Sequence, residues 1–226
     1  MKIILLAGGL GTRISEETKS KPKPMIEINN KPILSHVMDI YSSYGFNEFL
    51  ILGGYKVEVI QEYFKNPCIQ VIDTGLMTQT GGRLKQVQEI IGNETFMLTY
   101  GDGVGDINIK ELLDFHKSHK KIATVTAVHP EERFGILDIE DNKVIRFREK
   151  CKSPNFINAG FFVFEPEIFD YINDDVMLEE APLNNLSQDN QLMAYKHNGF
   201  WACMDNRKDL IMLRNLWDLG KAPWKI

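Results

Sequence analysis

Residues 2–25 read KIILLAGGLGTRISEETKSKPKPM. Lys2–Leu6 is a short apolar run of strand type. It leads directly into Gly8, Gly9 and Gly11, then Thr12 and Arg13, with Lys21 and Lys23 one loop further on. A parallel sheet opens an anion site in this way: the strand delivers the backbone, glycines let it approach, and cations close over the ligand. The order departs from both common phosphate fingerprints. It lacks the Lys-Ser/Thr that ends a Walker A loop, and Gly8-Gly9-x-Gly11 is not followed by the usual helix glycine. A structural turn accounts for the glycines, but not for an arginine and for prolines interleaved with lysines. The segment is therefore read as phosphate-binding.

Outward from that strand the chain alternates between strand and helix signals. Helices are predicted over Lys31–Tyr44, Lys56–Phe64, Leu84–Ile91 and Asn108–His119, and strands over Glu48–Leu52, Ile69–Ile72, Thr95–Thr99 and Ala123–Val128. The second half is richer in strands. Gly135–Glu140 and Lys143–Arg148 flank Asp141-Asn142 as a hairpin, followed by the apolar run Asn158–Phe164. Helices over Pro166–Ile172 and Leu178–Ser187, a strand over Gln191–His197 and a helix over Asn206–Leu219 complete the chain. The expected fold is α/β, a doubly wound and mostly parallel sheet with a strand-rich substrate lobe added near Glu131. No linker or repeat divides it, so residues 1–226 are read as a single domain.

The 226 residues carry a net charge of −5, which argues against a nucleic-acid partner. No apolar run reaches the ~18 residues of a membrane span, and Met1-Lys2 enters the first strand without a cleavage signal. Cys68, Cys151 and Cys203 are odd in number and lack zinc spacing. Reduced thiols in a cytoplasmic protein, with no membrane partner, are expected.

Arg13 and Lys23 are the candidates for neutralising a nucleotide's phosphates, one as a planar fork and the other as a mobile point charge. Asp102, in Tyr-Gly-Asp-Gly at the end of a central strand, is either a turn residue or a magnesium ligand. Asp205 is either a turn residue near the last helix or a second carboxylate for the same ion. Lys150 ends a strand, where it holds a second phosphate or is simply solvated. Asn158 starts an apolar strand and needs hydrogen-bond partners, sugar hydroxyls or backbone. Thr80-Gly81-Gly82-Arg83 opens a helix, and its glycines either let a flat base lie on the main chain or form a turn. No serine, cysteine or histidine has the partners of a nucleophilic triad.

Taken together, these segments resemble the sugar-1-phosphate nucleotidyltransferases, most closely the glucose-1-phosphate cytidylyltransferases. LAGGLGTRISEETKSKPKPMIEINNKPIL, DTG, TGGRLK, YGDGV, RFG, REK, NAGFFV, GFWACMD and WDLGKAPWK match in order along the whole chain. The resemblance implies a Rossmann-like nucleotidyltransferase fold, with Leu6, Ala7, Gly8, Gly9, Gly11, Thr12 and Arg13 around the CTP phosphates and Lys23 binding them. It also places Thr80, Gly81 and Gly82 at the cytosine, with Arg83 at its edge or at the sugar. Asp102 and Asp205 would hold Mg2+, Lys150 the sugar phosphate, and Asn158, Gly160 and Glu179 the hexose. Arg13, Lys23, Asp102 and Lys150 would form the catalytic set of a homo-oligomer that supplies CDP-sugars for surface polysaccharide. Three departures stand out: the segment from Phe64 to Ile69 is far shorter than the family's usual insertion, Ala181 replaces an acidic residue, and Cys151 replaces a proline.

The implied reaction is in-line attack by a sugar 1-phosphate oxygen on the α-phosphorus of CTP, releasing pyrophosphate. The rival readings are the same chemistry with another NTP or phosphorylated acceptor, a non-catalytic nucleotide-binding regulator, and a dinucleotide oxidoreductase. The last lacks an acidic residue at the end of the second strand, where Leu52-Gly53-Gly54 stands.

Overall fold

All five residues of β1 (Ile3–Ala7) are buried, as expected of a strand covered on both faces. Successive side chains of a strand point to opposite faces. Ile3, Leu5 and Ala7 accordingly enter one core, and Ile4 and Leu6 the other. The computed structural model describes residues 1–130, 135–149 and 153–225.

With β2 (Phe49–Gly53), β3 (Ile69–Asp73), β4 (Phe96–Tyr100), β5 (Ala123–Val128), β6 (Ile157–Phe164) and β7 (Leu192–His197), β1 builds a seven-stranded sheet. Its order is β7-β5-β6-β4-β1-β2-β3. β1 pairs in parallel with β2 and β4, β2 with β3, and β7 with β5. β6 alone runs antiparallel, between β4 and β5. The mostly parallel sheet expected from the sequence is thus observed, and strands from both halves of the chain share it.

Helices α1 (Ile33–Ser42), α2 (Val57–Tyr63), α3 (Thr80–Lys85), α4 (Ile109–His119), α5 (Ala181–Gln188) and α6 (Arg207–Asp218) flank the sheet. Val37 and Tyr41 of α1, Leu112 of α4, Leu213 of α6 and Trp224 fill the core on the Ile3 side. Leu84 of α3, Leu186 of α5, Ile168 and Phe169 fill the other. Local signals explain the ends. Asn108 caps α4 by accepting from the Glu111 N–H at 3.1 Å, and Asn206 and Asp209 form a capping box on α6. Among the described residues no helix is long and apolar enough to cross a membrane.

Three elements differ from expectation. Helix α3 opens at Thr80, as Thr80-Gly81-Gly82-Arg83 suggests, but the helix predicted over Leu84–Ile91 is broken after Lys85 and resumes as a single helical turn at Gln88–Ile91. Lys31-Pro32 leaves the predicted first helix and pairs with Glu27-Ile28 around Asn29 and Asn30, both at positive φ. Leu178–Glu180 precedes α5 because the Leu178 N–H donates to Thr80 Oγ1 and Pro182 favours a helix start. The Asp141-Asn142 hairpin forms as predicted, with Asp141 at φ 52°.

Candidate active site

The carboxyl ends of β1 and β4 open a cleft where open α/β sheets place ligands. Beyond Ala7 the backbone passes Gly8, Gly9 and Gly11, then tightens into a 3-10 turn over Thr12–Ile14. Gly8 has no room for a side chain: a Cβ would lie 2.2 Å from the Arg83 Cζ. The buried Arg83 fork donates to Gly53 O at 2.7 Å, Thr74 Oγ1 at 2.6 Å, Gly8 O at 3.2 Å and Leu76 O at 3.3 Å. Arg83 therefore ties the first loop to the end of β2 and to the segment after β3, and its guanidinium donors point into that tie.

Four charged side chains converge on the cleft floor. Lys23 is held by a 3-10 turn between Pro22 and Pro24. Its Nζ lies 2.6 Å from Asp102 Oδ2 and 2.7 Å from Asp205 Oδ1, while Arg13 Nη1 is 3.2 Å from Asp205 Oδ2. Backbone pairing brings the two aspartates together. Gly103–Gly105 pairs with Trp201–Cys203, and the Met204 N–H donates to Asp102 O at 2.9 Å. Burial works against the Lys23 ammonium, yet Asp102, followed by the hydrogen bonds to both carboxylates, keeps its pKa above the ordinary lysine value. Burial likewise opposes the Asp205 carboxylate, and the bond to Lys23 with the charges of Lys23 and Arg13 brings its pKa below the ordinary value.

Cys203 lies beside them, one ligand atom each from Asp102, Cys203 and Asp205 falling within 4.8 Å of one another. Burial, reinforced by the Asp102 charge, pushes its thiol up, so the sulfur is a neutral group at pH 7. The donor set fits magnesium through its two hard carboxylates, and the bridging Lys23 ammonium shows that this pair accepts a cation. The neutral, soft sulfur adds nothing to such an ion.

The cleft encloses about 600 Å3. Leu6, Ala7, Gly8, Gly9, Gly11, Thr12, Arg13, Lys23, Thr80, Arg83, Asp102, Asn158 and Asp205 stand on its walls. Gly81, Gly82, Gly160 and Glu179 are not among the wall residues. The Gly81 and Gly82 N–H groups donate to Val176 O at 2.9 and 3.3 Å. Lys150 and Cys151 lie outside the described residues. The walls also carry Tyr100, Trp201 and Cys203, which sequence reasoning passed over. The signal for Trp201 and Cys203 is present in WACMD: alternation puts Trp201, Cys203 and Asp205 on one side of an extended segment. A second cavity, about 490 Å3, lies at the opposite end of the strands around Met1, Phe46 and Cys68, far from this charge cluster.

The nucleotidyl transferase family matches residues 2–221. The glucose-1-phosphate cytidylyltransferase of Salmonella typhi is 47% identical over 254 aligned residues, covering 100% of this chain and 99% of the relative. The probable glucose-1-phosphate cytidylyltransferase of Bacillus subtilis (strain 168) is 41% identical over 253, covering all of both chains. Both alignments are longer than this chain, so the relatives carry residues with no counterpart here. A UDP-glucose pyrophosphorylase solved with UDP-glucose superposes with a TM-score of 0.77 over 97% of this chain and 98% of its own, at 18% identity.

Proposed function

Because the chain belongs to the nucleotidyl transferase family, we propose that it transfers the cytidylyl group of CTP to glucose 1-phosphate, yielding CDP-glucose and pyrophosphate. The observation that carries this reading is the convergence of Lys23, Arg13, Asp102 and Asp205 beneath the glycine loop, in a chain 47% identical along its whole length to a cytidylyltransferase.

A phosphate oxygen of the acceptor forms the new bond to the α-phosphorus as the bond to the bridging oxygen of pyrophosphate breaks. The nucleophile is an anion at neutral pH, so no general base is required. The barrier is repulsion between two anions, and residues that offset charge and hold the groups in line are what the reaction needs. Arg13 and Lys23 supply positive charge at the glycine loop, and Lys150 is assigned to the acceptor's phosphate. Asp102 and Asp205 would hold magnesium, which when bound supplies further positive charge to the phosphates. The product class suits surface-polysaccharide synthesis by a cytoplasmic homo-oligomer.

The test is pyrophosphate release across CTP, UTP, dTTP, GTP and ATP against several sugar 1-phosphates, with magnesium and with a chelator. Release confined to CTP with glucose 1-phosphate supports the assignment. Preference for another nucleotide or acceptor overturns that part of it.

A further inference from the structure

Tyr100 closes β4, and its ring lies against Gly160. A Cβ on Gly160 would sit 2.2 Å from Tyr100 Cδ2, and Gly160 has φ +78°. Glycine is required there on both counts. The Tyr100 hydroxyl donates to Glu179 Oε1 and accepts from Asn158 Nδ2 at 3.2 Å. Asn158 Oδ1 in turn accepts the Gly160 N–H at 2.7 Å. On the other side, Glu179 Oε2 accepts from Thr80 Oγ1 at 2.6 Å, and Thr80 Oγ1 accepts the Leu178 N–H at 2.8 Å.

Thr80, Tyr100 and Asn158 face the cleft, whereas Glu179 is not on its wall. An ionised carboxylate only accepts, so both hydroxyl hydrogens turn toward Glu179 and away from a ligand. Thr80 and Tyr100 then offer a ligand only lone pairs. Asn158, its amide oriented by Tyr100 and Gly160, keeps one N–H to donate. Burial, followed by the Glu179 charge, raises the Tyr100 pKa, which keeps the phenol a donor.

We propose that Glu179 is a positioning residue. It ties Thr80 on the nucleotide wall to Tyr100 and Asn158 on the acceptor wall and sets the direction of their hydrogens, without meeting either substrate. This inference rests on the reading of the cleft as a CTP and sugar 1-phosphate site.

The test is a mutant cycle on Thr80→Val and Tyr100→Phe, with Glu179→Gln and the conservative Thr80→Ser alongside. Each variant is first checked for an intact thermal transition. Thr80→Val is expected to raise the KM of the sugar phosphate, and Tyr100→Phe that of CTP, each at least about fivefold with a smaller change in kcat. The double variant should be no more than about threefold worse than the poorer single one, because both remove the same tie. Glu179→Gln should reproduce the double variant, and Thr80→Ser, which keeps the hydroxyl, should restore the sugar-phosphate KM that Thr80→Val loses. Effects that stay on each residue's own substrate and multiply in the double variant overturn the proposal, as does a Thr80→Ser enzyme as impaired as Thr80→Val. The same cycle is read on CTP affinity by calorimetry. Should the wild type bind CTP yet release pyrophosphate with no sugar phosphate, the functional reading falls, while additive or non-additive affinities still decide the role of Glu179.

Discussion

Lys23 and Asp205 lie 182 residues apart in the chain, yet Nζ and Oδ1 meet at 2.7 Å, and the same ammonium reaches Asp102 at 2.6 Å. A cation shared by two carboxylates is an arrangement ready to exchange partners. In the proposed reaction the oxygens of an entering triphosphate would compete for Lys23, and the aspartates would be freed for a divalent ion.

Asp102→Asn removes one of these carboxylates and leaves the Lys23–Asp205 pair in place. Turnover measured by pyrophosphate release should fall roughly a hundredfold or more, the scale seen when a group stabilising transition-state charge is lost. The melting transition should persist. An Asp102→Asn enzyme with full activity would show that this carboxylate holds no ion needed for the reaction.

Chelation should abolish pyrophosphate release and added magnesium should restore it, and Cys203→Ser should follow the same course. The thiol is neutral and soft, and the hydrogen bond it gives Asp205 is one a serine hydroxyl can also donate, so the replacement keeps both carboxylates available. A Cys203→Ser protein that no longer responds to magnesium would make the sulfur part of the site.

Arg83→Ala leaves Gly53 O, Thr74 Oγ1 and Gly8 O without their buried donor. Losing such a charged hydrogen-bonding group costs roughly 3 kcal/mol. For a chain of this length that lowers the Tm by roughly 6–12 °C. Activity should fall as well, since the Gly8 carbonyl is one anchor of the glycine loop on the cleft wall. Calorimetry of the variant beside its kinetics separates the two effects, and an unchanged Tm would deny Arg83 its tying role.

Acid sensitivity should come from a polar chain under the far side of the sheet. His119 Nε2 lies 2.7 Å from Thr124 Oγ1, Thr124 Oγ1 lies 2.8 Å from His116 Nδ1, and His116 Nε2 lies 3.1 Å from Glu165 Oε1. The Lys121 N–H donates to His119 Nδ1 at 3.0 Å, which makes His119 Nε2 the donor to Thr124. With both rings neutral, every hydrogen then runs one way, ending on Glu165. Burial lowers the pKa of His116 below 6.5, with Lys117 in the same direction and Glu165 opposing. Burial, His116 and Lys121 lower that of His119. The unfolded chain therefore binds protons first as pH falls. Stability should be level above about pH 6.5 and decline below it, through the lower folded-state values. Urea unfolding at pH 7.5, 6.5 and 5.5 should show that slope, reduced in His116→Gln. An equal slope in the variant would remove His116 from the account.

Much of the architecture was legible because it depends on neighbours in the chain. The apolar run through Leu6, the punctuation at Gly8 to Gly11 and the Asp141-Asn142 turn follow from short-range geometry. The helix start at Thr80 is legible in the same way, but the partners that fix it are not. Thr80 and Gly81 are held by Leu178 and Val176, remote partners that no local period announces. The resemblance assigns Glu179 to the hexose with Asn158; its oxygens accept from Thr80 and Tyr100, partners that lie far from it in the chain.

Taken alone, the sequence determined the alternating elements, the glycine-rich turn after β1 and the residue types available to the cleft. Backbone preferences and side-chain periods act over a few residues, so a linear pattern carries them. Tertiary structure decided which charges meet: Lys23 with Asp102 and Asp205, Arg83 with the Gly8 and Gly53 carbonyls, and Glu179 with two hydroxyls. Those meetings depend on strand order and on the crossovers between strands, which bring distant segments within hydrogen-bond reach only once the sheet has closed its two cores.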